Sequence, residues 1–140
     1  MKRVLLDTSF ILPILGVEVE GAAPVLKRLY TLSRRGEVEL YYSDFSILEA
    51  LWKIAKTNFD IKRVEMGLRS IELGLRKAHA DRHVFLKALE LRRRGHRDVV
   101  DLLLYATAAR NHLLFLTMDR DLVNFLEKAG EDVSIVVDTL

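Results

Sequence analysis

Residues 98–121 read Asp98-Val-Val-Asp101-Leu-Leu-Leu-Tyr-Ala-Thr-Ala-Ala-Arg-Asn-His-Leu-Leu-Phe-Leu-Thr-Met-Asp119-Arg-Asp121, and this stretch constrains the fold more than any other. Two carboxylates, Asp98 and Asp101, open a strongly apolar helix. A short apolar strand from Leu113 follows at once, and Asp119 and Asp121 come just after it. An ionised carboxylate in apolar surroundings is costly unless something positive compensates it. Asp101 stands between Val99-Val100 and Leu102-Leu103-Leu104, so a chain that keeps an acid there has a use for it.

The rest of the chain repeats this alternation. Val4-Leu5-Leu6 is a short strand that stops at Asp7, and Asp7-Thr8-Ser9 supplies cap-type residues for a helix over Phe10–Leu15 that Pro13 shortens or distorts. Gly16 to Ala23 reads as a loop. Pro24 suits the first turn of a helix that runs to about Arg34 and stops at Gly36. Val38–Tyr42 is a second strand, after which Ser43 and Asp44 cap a helix from Phe45 to about Lys56. Asp60–Lys77 and Asp81–Arg94 read as amphipathic helices, the second ended by Gly95. The apolar helix Asp98–Asn111 leads to a strand over Leu113–Thr117, a helix over Arg120–Ala129 and a last strand over Val133–Val137. Strands alternating with helices predict an α/β sandwich with a parallel sheet. Their near-continuous apolar runs suit a sheet covered on both faces. The length, with no internal repeat and no low-complexity linker, predicts one domain over residues 1–140.

Composition narrows the class further. Half the residues are hydrophobic and 30% are charged, which suits a globular protein rather than a disordered one. No apolar run reaches the length of a membrane span, and Asp7 comes too early for a signal peptide. Cysteine is absent, which excludes disulfides and thiolate metal sites and fits a cytoplasmic protein. Absent glutamine beside abundant Lys, Arg and Glu gives the chain the bias of a hyperthermophile's proteins. The formal charge of +2 is compatible with nucleic acid without demanding it. Arg92-Arg93-Arg94 reads first as a solvated helix end. Phosphate contact through Arg94 and Arg97 is a second reading, because the run leads straight to Asp98.

In parallel α/β folds, ligands bind outside the carboxyl ends of the strands. Asp7 stands at the carboxyl end of the first strand and Asp119 just past that of the third, so both face one rim of the sheet. Asp101 opens the helix before that third strand, and Glu49 borders the apolar arc of Phe45, Leu48 and Trp52 on the helix after the second. Each acid has a simpler role open to it. Asp7 and Asp119 can cap helices, Glu49 can pair with Lys53, and Asp101 can serve the helix dipole or pair with Arg97. Together, however, carboxylates converging on one rim repel each other unless a cation lies between them. Hard oxygen donors with no Cys point to Mg²⁺ or Mn²⁺, and so to metal-assisted phosphodiester hydrolysis.

The segments Leu6-Asp7-Thr8-Ser9, Ser46-Ile47-Leu48-Glu49, Asp101-Leu-Leu-Leu-Tyr-Ala-Thr-Ala108 and Leu116-Thr117-Met118-Asp119-Arg120-Asp121-Leu122 resemble, in order and spacing, those of PIN-domain proteins of the small stand-alone VapC-type toxin kind. The resemblance covers essentially the whole chain. It implies a three-layer α/β/α sandwich around a mostly parallel sheet of four to five strands, and a Mg²⁺- or Mn²⁺-dependent endoribonuclease. By position, Asp7, Glu49, Asp101 and Asp119 would form its acidic tetrad, with Thr8, Ser9 and Thr117 in support and Asp98 and Asp121 as further possible ligands. The expected partners are single-stranded or loop RNA, a small VapB-type antitoxin and a second copy in a homodimer. The alternative is a non-catalytic RNA-binding or protein-interaction module on the same fold. A haloacid-dehalogenase-type phosphotransferase is disfavoured because Ser9 stands where that family needs a second Asp. Trp52, Tyr41, Tyr42 and Phe59 are expected to pack rather than to stack on bases.

Overall fold

The computed structural model describes residues 1–140. Five strands, β1 (Lys2–Leu6), β2 (Val38–Tyr42), β3 (Arg76–Lys77), β4 (Leu114–Leu116) and β5 (Val136–Val137), form one sheet in the order β3-β2-β1-β4-β5. Every neighbouring pair is parallel. Seven helices cover it: α1 (Thr8–Ile14), α2 (Ala22–Arg34), α3 (Asp44–Ile54), α4 (Ile61–Gly74), α5 (Arg82–Arg93), α6 (Val99–Arg110) and α7 (Arg120–Lys128). This is the three-layer α/β/α arrangement.

The two cores follow from the period-2 alternation of a strand. Val4 and Leu6 of β1 and Leu116 of β4 face one core, built with Phe10 and Ile11 of α1, Leu29 of α2, Ile54 of α3 and Ile71 of α4. Leu5 and Phe115 face the other, with Leu91 of α5, Leu102 and Tyr105 of α6 and Leu122 and Leu126 of α7. Because helices lie on both faces, the central stretches of β1 and β4, Val4–Leu6 and Leu114–Leu116, are continuously apolar, while Lys2, Arg3, Glu39 and the edge strand Arg76–Lys77 are polar. No helix is long and apolar enough to cross a membrane.

Two expectations need correction. The helix read over Asp60–Lys77 ends at Gly74. Leu75 turns extended (φ −120°, ψ 154°), and Arg76–Lys77 pair with Tyr41–Tyr42 as a fifth strand. A two-residue strand is defined by the edge it docks on, so no local pattern announces it. The last strand is shorter than Val133–Val137, because only Val136–Val137 pair with β4. Two aromatic assignments also fail, since Trp52 is 58% exposed and Phe59 47%.

Candidate active site

The carboxyl ends of β1 and β4 are tied together just where the acids begin. The Asp7 amide donates to the Leu116 carbonyl at 3.0 Å, carrying the ladder one residue past β1 and bringing Asp7 beside Thr117. Asp7 caps α1. Its Oδ1 accepts from the Thr8 amide at 2.6 Å, and its Oδ2 accepts from Thr117 Oγ1 at 2.7 Å. Thr117 Oγ1 in turn accepts from the Asp119 amide at 3.1 Å. Asp119 caps α7 by accepting from the Leu122 amide. One hydroxyl therefore links the Asp7 carboxylate to the Asp119 backbone across the ends of two neighbouring strands. The capping roles read as alternatives in the sequence are both filled, and they hold each acid at the rim.

The helix opening at residue 98 delivers the remaining aspartates. Asp98 caps α6 by accepting from the amides of Val100 and Asp101. Asp101, in the first turn, is only 6% exposed. Its Oδ2 lies 3.2 Å from His96 Nε2. Glu49 is half-buried on α3.

These groups feel one another. Burial, foremost, pushes the Asp7 carboxyl up to about 6. The Glu49 and Asp119 charges add to the rise, while the Thr117 and Thr8 hydrogen bonds oppose it. Burial again leads at Asp101, where the Asp98 charge, the Asp119 carboxyl within hydrogen-bonding reach, and Asp7 help to push it up to about 9. Asp7, Glu49, Asp98, Asp101 and Asp119 thus share one electrostatic neighbourhood. Removing the Thr117 hydroxyl should raise the Asp7 carboxyl above its value of about 6. Thr117→Val, followed through the Asp7 carboxyl carbon signal in a pH titration, checks this; an unchanged or lowered midpoint would contradict the hydroxyl's role.

The donor set suits a hard divalent cation. It consists of oxygen ligands, crowded and partly desolvated, whose mutual repulsion a cation would relieve. Two buried hydroxyls at the same rim, Thr8 Oγ1 and Ser46 Oγ, have no hydrogen-bond partner, which leaves polar capacity for a guest. No group of three or more acidic or histidine side chains stands arranged to hold a metal ion by itself.

Ser9 and Asp121 make no side-chain hydrogen bond to the other acids, and Asp121 is exposed. Arg94 Nη1 donates to the Ala129 carbonyl at the carboxyl end of α7, the opposite end from Asp119. Its guanidinium is therefore occupied away from the acids. Arg97 remains at the site, lining with Glu49 and Asp98 an apolar groove of about 620 Å³ whose wall includes Trp52 and Val99. Sequence reasoning gave no role to His96 and quoted Ser46 only as the start of the segment that ends in Glu49. Ser46 lies one helical turn before Glu49, a spacing that could have been noticed. His96 sits in a basic run, and nothing local announces its contact with Asp101.

Comparison with known proteins agrees with this architecture. No curated protein sequence matches the chain. Among solved structures, VapC20 of Mycobacterium tuberculosis, described as a sarcin-ricin loop cleaving toxin, superposes with a TM-score of 0.66 at 18% identity, over 92% of this chain and 96% of that one. VapBC2 of Rickettsia felis, bound to a DNA fragment from its promoter, gives 0.66 at 14% identity, over 88% and 92%. FitAcB of Neisseria gonorrhoeae gives 0.58 at 19% identity, over 96% of both chains. At these identities the likeness is one of fold. The family model for the PIN domain matches residues 4–128. With nearly the whole sequence matched, the sheet order in place and the acids gathered at its carboxyl rim, this chain belongs to the PIN-domain family.

Proposed function

We propose that the protein is a Mg²⁺- or Mn²⁺-dependent endoribonuclease that hydrolyses single-stranded or loop RNA, acting as the toxin of a VapBC-type pair. The observation that carries this reading is the hydrogen-bonded link from Asp7 through Thr117 to Asp119 at the carboxyl rim, with Glu49 and Asp101 near enough to interact electrostatically with these acids. Likeness to VapC20 supports RNA as the substrate, and likeness to VapBC2 supports an antitoxin partner.

Asp7, Glu49, Asp101 and Asp119 would hold the ion. When bound, it supplies charge neutralisation at the phosphate and acidifies water. The chain's own part is alignment. Thr117 Oγ1 donates to Asp7 Oδ2 and accepts from the Asp119 amide, while the Leu122 amide holds the Asp119 carboxylate, so both acids are fixed before charge builds at phosphorus. Water attacks phosphorus in line, the bond to the 3′ oxygen breaks, and the products carry a 5′-phosphate and a 3′-hydroxyl. Homodimerisation would cover exposed apolar residues of α3 and α5, among them Leu48, Leu51, Phe85 and Leu89.

The test is cleavage of a mixed single-stranded RNA pool with Mg²⁺, with Mn²⁺ and with EDTA, run beside Asp7→Asn. Asp7→Asn should keep the fold and lose cleavage, because an amide still caps α1 but no longer offers an anionic ligand. Full activity in the folded variant would refute the tetrad. No cleavage together with no metal binding would favour a non-catalytic RNA-binding or interaction module.

A further inference from the structure

The segment between α5 and α6 runs along α7 as a strap. Arg94 holds it at one end, through the Ala129 carbonyl at 2.9 Å. Asp98 holds it at the other by capping α6. Between these anchors the His96 ring lies tilted at 38° on Phe125, with ring centres 4.9 Å apart, and presents Nε2 to Asp101 Oδ2 at 3.2 Å. His96 and Asp101 are both largely shielded from water.

We infer that His96 is the positioning residue for Asp101, holding Oδ2 so that the carboxylate stays turned into the acidic cluster and offers Oδ1 as a ligand. The inference rests on the metal-nuclease reading above. Asp101 needs such a restraint. Asp98, Asp119 and Asp7 all act on it as like charges, and their repulsion favours any rotamer that swings it out to water. His96 Nε2 is the one nitrogen that engages Oδ2, and the Asp119 carboxyl is the other side-chain group within hydrogen-bonding reach of Asp101. A neutral imidazole with its proton on Nε2 is sufficient for the role. Groups that orient metal-ligating side chains from behind typically change metal affinity 10- to 100-fold when removed.

The experiment is Mn²⁺ binding by the full chain, read by the loss of the free-ion electron paramagnetic resonance signal at fixed pH. His96→Leu fills the space against Phe125 but has no donor, while His96→Gln returns a donor at similar reach. Both lose the ring, so the difference between them reports the hydrogen bond, and thermal unfolding in EDTA confirms that both are folded. His96→Leu should weaken Mn²⁺ binding by roughly 10- to 100-fold and His96→Gln should recover most of that loss. Wild-type affinity in His96→Leu, or equal weakness in both variants, would overturn the inference. Asp101→Asn in the same series separates the two claims. If Mn²⁺ binding in the wild type does not depend on Asp101, the metal reading fails and this inference with it. If it does, and His96→Leu binds normally, only the inference fails.

Discussion

Asp101→Asn should abolish cleavage and, with metal removed, make the fold more stable above neutral pH. The loss of activity follows from removing an anionic ligand. Several kcal/mol of charge stabilisation is at stake, and each 1.4 kcal/mol is tenfold in rate, so roughly 10³-fold or more is expected. The gain in stability follows from the raised carboxyl. A group held at about 9 in the fold, against an ordinary 3.8, contributes stability that is fully present below the ordinary value. That contribution is lost progressively as the pH climbs from there through about 9, because a charge must then be kept in a shielded, negative place. Asn carries no such charge and keeps its partner in His96. The two proteins should therefore melt alike near pH 4 in EDTA. At pH 8 the variant should melt at a clearly higher temperature than the wild type. Saturating Mn²⁺ should narrow or reverse the difference by stabilising the wild type alone, by about 2.7 kcal/mol at a hundredfold excess over the dissociation constant. Melting curves at pH 4 and 8, with EDTA and with Mn²⁺, decide it. A variant that is less stable at pH 8 in EDTA would mean that Asp101 is compensated within the apo fold.

Gly67→Ala should be the most damaging small change in the structural scaffold. In an exposed helix interior, alanine is better than glycine by about 1 kcal/mol. At position 67 the sign reverses. A Cβ there would stand 2.3 Å from the Ile14 carbonyl oxygen and 2.9 Å from Leu15 Cα, both backbone atoms at the end of α1. That end cannot drift freely. The Ile14 carbonyl also accepts from Arg63 Nη1 at 2.9 Å, and Leu15 is buried. Forcing α4 away from α1 should cost about 1–3 kcal/mol or more beyond the helix gain, lowering the melting temperature by roughly 5–10 °C. Gly74→Ala, at the end of the same helix with nothing within 4 Å, serves as the control and should be neutral or slightly stabilising. Equal melting temperatures for the two variants would show that α1 and α4 can separate without loss.

The sequence alone determined the parts of this protein that depend on neighbours in the chain. A strand of continuous apolar residues ending in an acid is a local pattern, and parallel strands send their carboxyl ends to one rim. Asp7 and Asp119 are therefore placed together by chain order and strand direction, and Asp101 is conspicuous as a charge among leucines. Tertiary structure decided what depends on who packs where. Arg76–Lys77 is a strand because β2 offers an unpaired edge, and an amphipathic period that runs past Gly74 cannot show that. Trp52 lies on an arc that a helical wheel assigns to a core, and Phe59 lies in the connection after that helix, yet both side chains stay largely exposed. Arg94 is taken up by a carbonyl of α7, while His96, two residues on, reaches Asp101 because the strap between α5 and α6 lies along α7. The raised carboxyls have the same origin. Charge type is written in the residues, but desolvation and mutual repulsion exist only once the helices have closed around them.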